Sequence, residues 1–254
     1  MVEKPNGYFK NLNKIEFVLT YECTGRCRHC SQGDARKNSG RTDPYRAAEA
    51  VRKITSAYAI ETVMVFGGEP LLCKTAVYEI MTAAAKAGVK RRQIITNGFV
   101  TRDDEELKAI AKMLSECGVN DVLLSVDAFH QEFIPIEPVR RFACFVKEAG
   151  VPIRLQPAWL VSPSHQNMYN VKTRELLDSF LDIGIFENEG NIIFPEGNAK
   201  IYLSEYFSDG GIDNPYVEDV FDVRCISFDP DGGVLDGNFY NKDILEIMKD
   251  YSPR

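Results

Sequence analysis

Apolar residues fall at alternate positions from Ile15 to Leu19, the period-2 pattern of a strand with one buried face. A cysteine-bearing loop follows, and Asp43-Pro44 then supplies an N-cap and a first-turn proline for a helix running to about Tyr58. The same unit recurs: Thr62 to Phe66 with Thr75 to Ala87, Gln93 to Thr96 with Asp103 to Cys117, and Asp121 to Val126 with Glu137 to Ala149. A fifth unit reads as Pro152 to Gln156 with Thr173 to Leu181, and a sixth strand as Asn191 to Phe194. Regular β-α alternation predicts a parallel sheet with right-handed crossovers and helices outside. The repeating core covers about residues 13–197. Beyond it, Ile201 to Val223 holds acids but no Lys or Arg, a hairpin is expected at Asp229 to Asp236, and a last helix near Asn241 to Lys249. Residues 198–254 are read as a C-terminal cap on a single domain, 1–254, without an internal repeat.

Composition narrows the partners. The 254 residues are 44% apolar and 26% charged, enough to bury a sizeable core. A formal charge of −7 argues against a general nucleic-acid binder, because phosphate contacts need a basic surface. Neither a signal-type apolar segment near the N-terminus nor an apolar run long enough to span a membrane is present, so a cytoplasmic location without membrane partners is expected. The seven cysteines are an odd count that suits reduced thiols or metal ligands better than a disulfide framework. Cys73, Cys117 and Cys144 read as small core hydrophobes, and Cys225 opens a segment with no cysteine after it.

The chemistry gathers at strand ends, where α/β sheets and barrels present ligand-binding loops. Cys23, the run Gly67-Gly68-Glu69-Pro70, Asn97-Gly98, and Ser125 with Asp127 each lie at or just past the end of one of the first four strands. Cys23-Thr-Gly-Arg-Cys27-Arg-His-Cys30 spaces three cysteines as C-x3-C-x2-C and offers no fourth nearby. Four thiolates close a cubane cluster, whereas three leave one iron open to a cofactor or substrate. A Cys3His zinc site using His29 is the competing reading, and it gives no reason for a glycine-glycine-acid loop one strand later.

Taken together, these motifs on successive strands resemble the radical SAM superfamily, over roughly residues 13–197. The resemblance implies a partial (β/α)6 TIM-like barrel with a short C-terminal hairpin and helix. It also implies one [4Fe–4S] cluster on Cys23, Cys27 and Cys30, with S-adenosylmethionine (SAM) chelating the open iron and cleaved to a 5′-deoxyadenosyl radical. Gly67, Gly68, Glu69 and Pro70 are then similar to the family's GGEP motif at the methionine ammonium, and Asn97 belongs to a segment lining the SAM pocket. Ser125 and Asp127 share a strand face and are expected near the ribose and carboxylate, with Asp127 also a catalytic candidate. His29 stands where the family commonly has an aromatic residue near adenine. The fifth strand lacks a clear version of the family's adenine-contacting motif.

Function follows from the resemblance as hydrogen abstraction from a peptide or small-molecule substrate. A glycyl-radical-enzyme activase is the alternative, set against the Asp-x-Lys pattern replaced here by Ser125-Val126-Asp127-Ala128. A cluster-binding regulatory protein without turnover is a second alternative. Arg26, Arg28, Arg36, Lys37 and Arg41, with Asp34 the one acid among them, form a basic loop that is either simply solvated or a docking face for an acidic flavodoxin- or ferredoxin-like electron donor. His130, just beyond the fourth strand, is expected at the mouth as a group for substrate orientation or proton transfer, against a plain loop or helix-start role.

Overall fold

A computed structural model describes residues 6–33, 40–207 and 213–253. Asp34, Arg36 and Lys37 of the basic loop lie outside the described residues. The repeating units are β1 (Lys14–Val18) with α1 (Pro44–Ala57), β2 (Thr62–Phe66) with α2 (Lys74–Lys86), β3 (Arg91–Thr96) with α3 (Asp104–Glu116), and β4 (Asp121–Leu124). A short helix α4 (Ala128–Gln131) and then α5 (Ile136–Glu148) follow β4, ahead of β5 (Ile153–Leu155), β6 (Ala158–Trp159), α6 (Met168–Asp178) and β7 (Asn191–Ile192). The chain ends with α7 (Gly197–Tyr202), β8 (Cys225–Phe228), β9 (Gly233–Val234), β10 (Gly237–Asn238) and α8 (Ile244–Asp250).

Local chemistry sets the helix starts. Asp43 and Asp103 each accept two backbone N–H bonds in the first turns of α1 and α3. Asn167 caps α6 the same way, starting that helix five residues before the expected Thr173.

Strands β1 to β5 pair in parallel and in sequence order. The run from Glu187 to Ile192 continues the parallel series against Leu155 to Trp159, which makes the sixth strand of a partial barrel. One extra residue is absorbed there, because the partner offset grows from Leu155–Glu187 to Ala158–Asn191. Gly190, with φ +73°, takes up the difference, and a Cβ on it would stand 2.4 Å from the Pro157 carbonyl oxygen.

The C-terminal segment departs from expectation. The turn at Asp229 to Gly232 is present, but the strand before it, β8, pairs in parallel with β1 on the side away from β2. Four residues, Cys-Ile-Ser-Phe, carry too little periodicity to reveal this. Residues 225–228 therefore extend the sheet itself.

Alternate residues divide the sheet into two faces. Ile15, Phe17, Val63, Val65, Ile94, Val122, Leu124 and Leu155 are buried in one cluster with the helix residues Val51, Ile54, Val77 and Ile80. The opposite parity faces the lumen. Register places Val18, Phe66, Ile95, Leu123 and Arg154 in one inward layer. Hydrogen bonds beyond the strand ends, Gly68 to Thr20, Ser125 to Thr96 and Gln156 to Leu124, extend the same register to an upper layer of Thr20, Gly68, Asn97, Ser125 and Gln156. Buried Cys73 and Cys117 belong to the core cluster, as expected, and burial pushes the Cys117 thiol up to about 11.

Gly190→Ala should test the bulge. It is expected to destabilise the fold by about 1–3 kcal/mol, seen as a lower Tm or denaturant midpoint. An unchanged midpoint would remove the bulge as a constraint.

Candidate active site

The cysteine loop lies directly on the second strand end. Gly68 N–H donates to the Thr20 carbonyl at 2.7 Å and Glu69 N–H to the Glu22 carbonyl at 2.8 Å. Cβ atoms on Gly67 and Gly68 would stand 2.5 Å from Thr20 O and 2.1 Å from Glu22 O, so neither position accepts a side chain while the loop stays seated. These glycines therefore permit a close approach of the chain's own backbone.

Glu69 is buried and serves as a strut between strands. Its Oε1 accepts from Leu71 N–H at 2.9 Å and the Thr96 hydroxyl at 2.7 Å, and its Oε2 accepts from Asn97 N–H at 2.8 Å. Burial pushes its carboxyl up to about 7 despite these three donors. Pro70 follows in a short 3-10 turn capped by the Glu69 side chain. Asn97 ties the third strand end to the loop, its amide nitrogen donating to Thr24 Oγ1 at 3.0 Å and toward Cys23 Sγ at 3.6 Å.

The three cysteines meet around this frame. Gly25 N–H donates to Cys23 Sγ at 3.3 Å, and a Cβ on Gly25 would lie 3.3 Å from Cys27 Sγ and 3.8 Å from Cys23 Sγ. Cys27 is buried in a second apolar cluster with Phe129, Ala158, Leu160 and Ile193, while Cys23 and Cys30 are half-buried. The far side of the loop is pinned by two residues the sequence reading missed. Asn198 donates its backbone N–H to Cys30 O at 2.9 Å and its side-chain amide to Cys27 O at 3.1 Å. Gly197, with φ +52°, leaves space that a Cβ would fill at 2.3 Å from Ser31 O. Glu196-Gly197-Asn198 carried a turn signal, but nothing in it pointed to a loop more than 160 residues upstream.

His29 and His130 share one pocket. The His29 ring lies 5.0 Å from Phe129 and 4.8 Å, edge-on, from His130. Burial lowers His29 to about 4, so its imidazole is neutral near pH 7, and its Nδ1 has no hydrogen-bond partner. The ligating atoms of Cys27, His29 and His130 all lie within 4.8 Å of one another. His130 therefore stands against the cysteine loop.

Asp127 is fully buried with both oxygens engaged. Its Oδ1 caps α4 through Phe129 and His130 N–H, and its Oδ2 meets His130 Nδ1 at 2.8 Å and Ala158 N–H at 3.1 Å. Burial would raise this carboxyl, but the charge and hydrogen bond of His130, with His29 beyond, bring it down to about 2. Burial likewise opposes a charged His130, and Asp127 outweighs it, holding that imidazole above its ordinary value. Four donors thus meet the two oxygens of Asp127, which gathers α4, His130 and the start of β6 around one buried carboxylate. Ser125 keeps its expected place in the upper inward layer and is buried. The basic loop is partly neutralised, since Arg28 pairs with Glu132 at 2.8 Å and Arg41 with Glu22 at 2.6 Å, while Arg26 is exposed.

Three soft sulfur donors on one loop, with N–H groups aimed at Cys23 Sγ, fit an iron–sulfur cluster with one open iron. A family model for the radical SAM superfamily matches residues 17–149. The chain belongs to this superfamily, whose members are enzymes that use a [4Fe–4S] cluster and SAM. GTP 3',8-cyclase of Moorella thermoacetica is 27% identical over 125 residues, covering 48% of this chain and 37% of that protein. The chain thus spans well under half the length of such relatives. Among solved structures, Streptococcus suis SuiB bound to precursor peptide SuiA superposes with a TM-score of 0.62 at 13% identity, over 96% of this chain and 65% of that one. The enzyme anSMEcpe with bound AdoMet and Cp18Cys peptide gives 0.54 at 16% identity, over 91% and 75%. These likenesses concern the fold, a partial TIM-type barrel. No helix among the described residues is long and apolar enough to cross a membrane.

Two outcomes follow from the loop contacts. Gly68→Val should lose cluster iron as well as SAM affinity, because the added side chain unseats Glu22; wild-type iron content would contradict this. Glu69, raised from 4.5 to about 7 in the fold, makes SAM-free protein lose stability as pH rises through that window, at up to about 1.4 kcal/mol per pH unit. Glu69→Gln should flatten that slope in denaturant titrations between pH 4.5 and 7, and an unaltered slope would assign it to other groups.

Proposed function

We propose that this single-domain chain holds one [4Fe–4S] cluster on Cys23, Cys27 and Cys30, binds SAM across the barrel mouth, and abstracts hydrogen from a peptide or small metabolite. The observation that carries the reading is the flanking of Gly25 by the Cys23 and Cys27 sulfurs, on a loop whose backbone is bonded to Gly68 and Glu69. When bound, the cluster and SAM supply an electron and a 5′-deoxyadenosyl radical.

The remaining work belongs to the chain. Asn97 and Gly25 orient Cys23 by donating to its sulfur, which also tunes the charge it carries. Ser125, with Gln156 beside it in register, presents polar groups to SAM at the mouth, and the backbone of Gly67 to Pro70 forms the adjoining wall. Neutral His29, tilted against Phe129, offers a flat face for the adenine. Asp127 holds His130 beside His29 and caps the helix that brings Phe129 there. Val18, Met64 and Leu123, all buried, give the lumen face an apolar lining.

Relatives of both kinds support the substrate range: the Moorella thermoacetica protein is named for a GTP cyclase, and the SuiB and anSMEcpe structures named above hold peptides. The activase alternative gains nothing, since β4 still ends without the lysine. An acidic flavodoxin- or ferredoxin-like protein would deliver the electron near exposed Arg26, in a reducing cytoplasm that keeps the seven cysteines out of disulfides.

Replacing Cys23, Cys27 and Cys30 together with Ala should remove essentially all iron after anaerobic reconstitution and abolish dithionite-dependent release of 5′-deoxyadenosine. Retained iron, or release at the wild-type rate, would overturn the assignment.

A further inference from the structure

The lumen holds a second polar feature that SAM binding leaves unused. Arg154 on β5 lies in the inward layer two residues below Gln156, about 6.6 Å deeper than the mouth. Its layer mates Val18, Phe66, Ile95 and Leu123 are apolar. On the other flank, Leu155 pairs with Glu187, which sets Phe186 beside Arg154 on the lumen face. Phe186 is 63% exposed, and the Arg154 side chain is 48% exposed. A phenylalanine left this open beside a cation, on the inner face of a barrel, is unusual unless something covers it.

The guanidinium is held in one orientation. Arg154 Nε donates to Asp121 Oδ1 at 3.1 Å and Nη2 to Asp121 Oδ2 at 2.7 Å, while Gln93 Nε2 donates to the same Oδ2 at 2.7 Å. The chain Gln93–Asp121–Arg154 crosses three adjacent strands and fixes the fork from behind. The remaining N–H groups of Arg154 make no hydrogen bond among the described residues.

We propose that Arg154 and Phe186 form the substrate anchor, taking a small organic anion whose carboxylate or phosphate meets the Arg154 fork and whose apolar body lies on Phe186. This rests on the reading of the mouth above as the SAM site and deepens it by naming the substrate class. Asp121 and Gln93 are positioning residues for the fork. Carboxylate and phosphate share the recognition chemistry, and the test separates them.

The probes are phenylphosphate and phenylacetate, with benzyl alcohol as the neutral control, measured by saturation-transfer NMR on reconstituted protein carrying SAM. Both anions should bind at least about tenfold tighter than benzyl alcohol, and the tighter of the two identifies the preferred group. Arg154→Met should remove that advantage while iron content and SAM affinity stay at wild type. Phe186→Ala, at an exposed position that does not endanger folding, should weaken all three probes. Equal binding of benzyl alcohol, or unaltered anion binding in either variant, would overturn the proposal. Loss of iron or SAM binding in the cysteine variants tests the functional reading separately, because neither Arg154 nor Phe186 touches the cysteine loop.

Discussion

Backbone packed directly on backbone, with no side chain between, is the constraint on which the site depends. The chain leaving β1 lies on Gly67 and Gly68 closely enough that Gly68 and Glu69 N–H groups bond to Thr20 and Glu22 carbonyls. This sets the height of the cysteine loop above the second strand. Glu69 then carries the constraint sideways, since its carboxylate is shared between its own turn and the backbone of Asn97. Asn97 returns it to the loop through Thr24 and Cys23. The circuit from loop to second strand to third strand and back is closed, so three thiols are presented in a fixed frame instead of on a mobile connection.

A second set of contacts fixes the other side. Asn198 grips the carbonyls of Cys27 and Cys30, and Asp127 gathers α4, His130 and the start of β6 around one buried carboxylate. Asp127 is stable as a charge there because every lone pair it presents meets a donor. These donors account for a charged residue just beyond the buried end of β4. Below this level the lumen turns apolar and carries Arg154 and Phe186, which gives the barrel two storeys with distinct chemistry.

Much of this was legible in the residues. Periodicity located the first five strands and the long helices, because each buries one face, and the caps Asp43 and Asp103 marked the starts of α1 and α3. Motif spacing brought Cys23, Gly68, Asn97 and Ser125 to one mouth, because successive parallel strands end on the same side. What escaped was either short or long-range. Strand β8 has four residues, too short a stretch for its alternation to distinguish it from a loop, and α7 has six. Asn198 acts on cysteines at a sequence distance that no local pattern encodes. The inward parity of Asp127 says where its side chain starts and nothing of the four donors it meets.

The central claim is that three cysteines leave one iron open to SAM, and electron paramagnetic resonance of the one-electron-reduced, reconstituted protein tests it most directly. The account predicts a single [4Fe–4S]⁺ signal per chain whose g values shift when SAM is added. A signal that SAM leaves unchanged, at concentrations where SAM binding is saturated, would contradict it.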